Sequence, residues 1–221
     1  MSESLGVAVL ASGSGTNLQA LIDKLHLVPE RGVRIQCVVG SKAGIGAVDR
    51  AAEHRIPSHV MPAGADETWL LDTLESSNAG LVVLAGWLKL IPPGAVRAWR
   101  GRMINIHPAL LPSFGGPGMY GRRVHDAVIN AGARISGPTV HFVDEIYDNG
   151  AIIAQWPVPV LESDDGEALA GRVLKVEHRL LPAVVASFAR NSFELGGDGR
   201  VTWKEPWFEH EVFDLIPNAS Q

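Results

Sequence analysis

The segment "MINIHPALLP" (103–112) sets an amide and an imidazole two residues apart, Asn105 and His107. In a strand, residues i and i+2 point to one face, so the two side chains project together. Pro108 biases His107 toward extended backbone and marks the strand exit. An amide N–H donates to an oxyanion without changing its own charge. An imidazole donates or carries a proton near neutral pH. The pair suits the tetrahedral intermediate of an acyl transfer. Read in isolation, the commoner arrangement is two polar side chains capping the following loop. "VDEIYDNGAII" (143–153) adds a candidate carboxylate, Asp148, just before Asn149-Gly150. Asp-Asn-Gly is also ordinary turn chemistry. Asp144 and Glu145 compete with it, and spacing alone sets none of the three beside His107.

"ASGSGTNL" (11–18) offers a second kind of chemistry. Gly13 and Gly15 follow an apolar run and precede a helical pattern. N–H groups without partners at a helix start favour anions. The amides of Gly15, Thr16 and Asn17 could hold a phosphate, helped by two short polar side chains. A plain strand-to-helix turn capped by Thr16 or Asn17 is the competing reading. A dinucleotide site is excluded. Leu18 replaces the third glycine of G-x-G-x-x-G, and Gly40-Ser41-Lys42 ends the second strand without an acid for a ribose. The segment is no Walker motif either, so a monophosphate fits best.

The elements that must position these groups follow an alternating rhythm. Strands are predicted at 5–11, 33–40, "SHVM" (58–61), 80–86 and 102–107. Helices are predicted at 16–25, about 45–55, 66–76, after Pro92-Pro93, and about 121–131. Leu18, Leu21, Ile22 and Leu25 share one face of the first helix. "GLVVLAG" has no polar alternation, as expected of a strand covered on both faces. "SGPTVHFVD" and "GAIIAQWPVPV" read as an antiparallel pair, and 166–190 as the longest helix. "FELGGDGRVTW" reads as a hairpin turning on Asp-Gly. The expected fold is α/β, a Rossmann-like doubly wound mixed sheet. Its N-terminal half is parallel, and its C-terminal half carries the antiparallel pair. Residues 1–191 are expected to form one domain, a phosphate-binding half (1–101) and a catalytic half (102–191), with 192–221 a hairpin and tail. Ligands of such sheets sit at the carboxyl ends of the strands, which here are the loops 12–17, 86–91 and 107–120.

Composition limits the alternatives. The chain has 221 residues, 46% hydrophobic, which is ample for a large core. Mean hydropathy is +0.11. A net charge of −5 without basic runs disfavours a nucleic-acid partner. The apolar runs are too short to span a bilayer. The N-terminus has no basic region ahead of its apolar run, unlike a secretory signal. Cys37 is the only cysteine, so no disulfide forms within the chain. A cytoplasmic protein without membrane partners is expected.

Five segments occur in this order: "VAVLASGSGTNLQALID", "VLAGWLKLIPP", "MINIHPALLPSF", "GPTVHFVDEIYDNGAIIAQ" and "RVLKVEHRLLP". Over roughly residues 5–190 the chain resembles the folate-dependent formyltransferases, and among them those of de novo purine synthesis that formylate glycinamide ribonucleotide. The resemblance implies the formyltransferase fold, with 10-formyltetrahydrofolate as formyl donor and glycinamide ribonucleotide as acceptor. No metal is expected, since no ligand cluster for one appears in the sequence. Asn105, His107 and Asp148 match the family's catalytic Asn, His and Asp. Gly15, Thr16 and Asn17 match the phosphate grip, and Glu177 matches a glutamate that binds the acceptor's ribose and amine. Leu88, Lys89, Leu90 and Ile91 match the folate pocket. So do Asn105 and the loop Asp144, Glu145, Ile146, Tyr147 and Asp148. Family members are often homodimers.

The chain departs from the family after "LLPSF", where 114–125 is longer and rich in glycine, a composition suited to a lid. The sequence assigns no role to Met119, Tyr120, Arg122 or His125 there. Three other readings compete. A 10-formyltetrahydrofolate hydrolase resembles this domain but adds an N-terminal regulatory domain, whereas in this chain four residues precede the first strand. A methionyl-tRNA formyltransferase adds a C-terminal domain and basic surface. A non-enzymatic nucleotide-binding module would explain "SGSGTN" but leaves Asn105 and Asp148 without use.

Overall fold

The computed structural model describes residues 4–204. The end of the expected 192–221 segment, from 205 onward, lies outside the described residues.

Seven strands form one sheet in the order β3-β2-β1-β4-β5-β7-β8. The first five are β1 (Leu5–Ala11), β2 (Val33–Gly40), β3 (Ser58–Val60), β4 (Leu81–Leu84) and β5 (Met103–His107), all parallel. Then β7 (Thr139–Phe142) runs antiparallel to β5, and β8 (Ile152–Gln155) antiparallel to β7. This is the expected mixed sheet. Short ends of the hairpin peel away as a separate ribbon, β6 (Ile135–Ser136) with β9 (Val158–Pro159).

Alternation along the strands sends side chains to two separate cores. Val7 and Val9 of β1, Leu81 and Val83 of β4, and Ile104 and Ile106 of β5 face one side. There they meet α1 (Thr16–Leu21), α2 (Gly46–Glu53) and α6 (Gly166–Ala189) through Leu18, Leu21, Ala47, Ala51, Leu181 and Val185. Ala8, Leu10, Val82, Leu84 and Met103 face the other side. There α3 (Glu67–Ser76) and α4 (Pro93–Ala98) cover them with Leu70, Leu74, Ala95 and Val96. Both faces of β4 are therefore buried, as its continuous apolar run predicts. α1 continues without a break into a π-helical stretch, Ile22–His26, which the apolar spacing did not distinguish from regular helix.

α5 (Arg122–Asn130) packs on α6 through a third cluster of Val128, Leu169 and Val173. Asp165 caps α6, accepting from the N–H groups of Glu167 and Ala168. The hairpin β10 (Phe193–Leu195) and β11 (Val201–Trp203) forms as expected. Its turn is centred on Gly197-Asp198, because the Gly199 N–H donates to the Gly196 carbonyl. Phe193 enters the first core beside Phe142, Phe188 and Trp203.

Candidate active site

β5 ends at the carboxyl edge of the sheet, where Asn105 and His107 share the face of Met103. Their strand neighbour decides what surrounds them. β7 pairs so that Asn105 lies opposite His141, and His107 opposite Thr139. Directly opposed side chains of antiparallel strands come within contact. Asn105 Nδ2 lies 3.0 Å from His141 Nε2. His141 Nδ1 donates to the Phe142 carbonyl at 2.8 Å, which leaves Nε2 as the acceptor for the Asn105 amide. That bond fixes which way the amide faces. His141 is buried, and burial lowers its pKa below the ordinary histidine value, favouring the neutral acceptor form. Thr139 holds the strand exit: its hydroxyl donates to the Ala109 carbonyl at 2.6 Å and accepts from the Leu111 N–H at 3.0 Å.

Among the three candidate carboxylates, Asp148 faces the imidazole. Its Oδ1 is 3.4 Å from His107 Nδ1 and 3.7 Å from His141 Nε2. Its Oδ2 accepts from the Gly116 N–H at 2.9 Å. Asp144 is engaged within its own loop, accepting from the Ile146 N–H and from Asn149 Nδ2, each at 2.9 Å. Glu145 turns outward to Arg97 at 3.0 Å. Gly150 lets the loop pass close under β7, since a side chain there would run into the Phe142 carbonyl. On the other side of the ring, His107 Nε2 donates to the Phe114 carbonyl at 2.9 Å. Phe114 has a left-handed backbone, φ 57°. Both ring nitrogens thus face acceptors, an arrangement that suits the imidazolium form.

A cleft of about 630 Å³ opens on this cluster. Ser14, Thr16, Asn17 and Glu177 line one end, and Asn105, His107 and Asp148 line it further along. The segment Gly116–Gly121 forms a wall. A smaller hollow adjoins, lined by Leu90, Ile91, Asp144 and Ile146 and sharing Trp87, Asn105, Tyr147 and Asp148 with the cleft. At the far end, Asn17 Nδ2 donates to Glu177 Oε2 at 2.6 Å. Burial raises the Glu177 pKa, and the Asn17 bond opposes the rise. Asn17 Oδ1 is buried with no partner. Among the described residues no group of three or more His, Cys, Asp or Glu is arranged to hold a metal ion.

The sequence model described as formyl transferase matches residues 5–185. The chain belongs to the formyl transferase family. The chloroplastic phosphoribosylglycinamide formyltransferase of Vigna unguiculata is 41% identical over 208 residues, covering 90% of this family member and 63% of that protein. The present chain thus spans somewhat less than two thirds of that relative's length. The crystal structure of phosphoribosylglycinamide formyltransferase from Anaplasma phagocytophilum superposes with a TM-score of 0.84 at 35% identity, covering 91% of this chain and 95% of that one. A formyltetrahydrofolate deformylase from Pseudomonas syringae pv. tomato superposes with a TM-score of 0.82 at 25% identity, covering 91% of this chain and 66% of that one. Backbone shape therefore does not separate the two activities.

Most of the residues singled out in this formyl transferase family member come together. Asn105, His107, Asp148, Thr16, Asn17, Glu177 and Leu88 line the cleft, and Lys89, Leu90, Ile91, Asp144, Ile146 and Tyr147 line the hollow. Gly15 lies behind the lining, with Ser14 in front. Glu145 faces away from the hollow. The sequence reading missed His141 and left His125 without a role. His141 shows the same i, i+2 pattern with Thr139 that Asn105 shows with His107. His125 lines the cleft and is buried, and burial lowers its pKa, with Asp126 opposing and His107 adding to the effect. No helix among the described residues is long and apolar enough to cross a membrane.

Proposed function

We propose that this chain transfers the formyl group of 10-formyltetrahydrofolate to the amine of glycinamide ribonucleotide. The observation that carries the reading is the meeting of two spaces at one cluster. Asn105 and Asp148 border both the long cleft and the adjoining hollow. A donor headgroup in the hollow and an acceptor in the cleft would bring formyl carbon and amine together there. The loop Gly15-Thr16-Asn17 would hold the acceptor's phosphate and Glu177 its ribose. Leu88, Lys89, Leu90, Ile91 and the loop from Asp144 to Asp148 would hold the folate.

The amine needs little activation. An α-amine has a pKa near ~8, so roughly a tenth is neutral at pH 7. Attack on the formyl carbon gives an oxyanion and an ammonium. Asn105 donates to the oxyanion, and so does protonated His107 once its Nε2 leaves the Phe114 carbonyl, each such donor contributing about 3–4 kcal/mol. Asp148 balances the imidazolium and, through a water, relays the ammonium proton to the leaving folate nitrogen. No step needs a metal.

The test is direct. The protein is mixed with 10-formyltetrahydrofolate and offered glycinamide ribonucleotide, water or initiator tRNA. Formylated ribonucleotide, with no comparable release of formate, supports the reading. Formate release alone overturns it in favour of a hydrolase, and formylated tRNA overturns it in favour of a tRNA enzyme.

A further inference from the structure

We infer that Arg50 is a positioning residue for the phosphate loop, holding the loop's carbonyls back so that its N–H groups face the acceptor's phosphate. The inference rests on the function proposed above and adds to it a residue outside the cleft.

The argument starts from the peptide unit. In a trans peptide the C=O and the next residue's N–H point in opposite directions. Two successive units of the loop are tied from behind by α2. The Ala47 N–H donates to the Gly13 carbonyl at 3.2 Å. Arg50 Nε donates to the Ser14 carbonyl at 2.9 Å. The N–H groups of Ser14 and Gly15 must then point away from α2, the direction in which Ser14, Thr16 and Asn17 border the cleft. Two glycines allow the close approach. A Cβ on Gly15 would lie 2.6 Å from Ala47 Cα, and one on Gly46 would lie 2.8 Å from the Ser14 carbonyl oxygen.

Arg50 is itself held. Its Nη1 donates to Gln19 Oε1 at 3.0 Å, and Gln19 Nε2 donates to Asp23 at 2.8 Å. The guanidinium therefore bridges the loop and the first turn of α1. A planar, fixed cation suits this better than a lysine, which gives one point of attachment. Its charge also lies behind the place assigned to a phosphate. His178 on α6 lies within reach of that charge: burial lowers its pKa, and Lys24 and Arg50 act in the same direction. The buried Asn17 Oδ1 is without partner, and as an acceptor it suits a hydroxyl or amine of the ligand rather than its phosphate.

The test compares wild type with Arg50→Ala and Arg50→Lys, using glycinamide ribonucleotide, the dephosphorylated glycinamide riboside and inorganic phosphate. For Arg50→Ala, KM for the ribonucleotide and the inhibition constant of phosphate rise about tenfold, the size expected for one charge-assisted hydrogen bond. kcat stays within about threefold, and kcat/KM for the riboside stays within about threefold, because neither depends on a phosphate held at the loop. Arg50→Lys moves the same two constants in the same direction but less, and it carries the test if the alanine variant does not fold. An unchanged KM for the ribonucleotide, or an equal loss with riboside and ribonucleotide, overturns the inference. If wild type formylates no glycinamide ribonucleotide, the functional reading fails separately. Calorimetry with inorganic phosphate then decides: binding weakened in both variants supports the role of Arg50, and absent or unaltered binding overturns it.

Discussion

Replacing Asp148 by asparagine isolates one interaction. The carboxylate oxygen lies 3.4 Å from His107 Nδ1, and the two side chains are 10% and 4% exposed. At that distance, with an effective dielectric constant of ~20, the attraction between a carboxylate and an imidazolium is about 5 kcal/mol. Desolvation offsets part of it. A hydrogen bond to a charged group nets about 1.5–3 kcal/mol. A loss of about 2–3 kcal/mol from the transition state slows turnover roughly 30- to 150-fold. The fold has little reason to change. Asp148 sits at φ 55°, a region asparagine also tolerates, and the amide oxygen can still accept from the Gly116 N–H. The acceptor's KM stays within about threefold, since the loop and the glutamate proposed to hold its phosphate and ribose lie elsewhere. Steady-state formyl transfer, with the melting temperature as a control, measures this. A kcat within fivefold of wild type, in a folded protein, would refute the assignment of Asp148 as the partner of the imidazolium.

Three further outcomes follow from the same geometry. His141→Ala removes the acceptor that orients the Asn105 amide; kcat drops about 10- to 100-fold with both KM values nearly unchanged, and a kcat equal to wild type counts against that orientation. Glu177→Gln removes a buried carboxyl whose pKa is raised, a group whose stabilising contribution is present at low pH and lost as pH rises. The variant's melting temperature at pH 8 therefore increases by about 2–4 °C while acceptor binding weakens, and a lower melting temperature would contradict this. His26, His125, His141 and His178 all have pKa values lowered by burial, so the unfolded chain takes up protons first as pH falls. In the Glu177→Gln background, where the opposing carboxyl is gone, the urea midpoint falls between pH 7.5 and pH 5.5, and a flat profile would count against neutral rings at these four positions.

The parallel half was legible because its signals are local. Apolar runs, Pro57 and the Pro92-Pro93 pair punctuate the chain, and the central strands β1 and β4 are buried on both faces. The pair Asn105 and His107 was visible for the same reason: i and i+2 is a property of one strand. What the sequence withheld depends on pairing across the chain. That His141 lies opposite Asn105 follows from the register of β5 with β7, which spacing does not give. The choice of Asp148 over Asp144 and Glu145 depended on side chains already engaged, Asp144 by its own loop and Glu145 by Arg97. Arg50 sat unnoticed in "GAVDRAAEH", because the loop it supports lies 36 positions away in the chain. The hairpin turn shifted one residue for a smaller reason, the bond from the Gly199 N–H to the Gly196 carbonyl.

The Phe114 carbonyl has a consequence for a reactive donor waiting alone. An activated formyl group beside an open imidazole is vulnerable to any passing water. With Nε2 of His107 already engaged at 2.9 Å, that water finds no second donor for the oxyanion it would create. On the proposed function, the Phe114 carbonyl would thus act as a brake on hydrolysis of a donor bound alone.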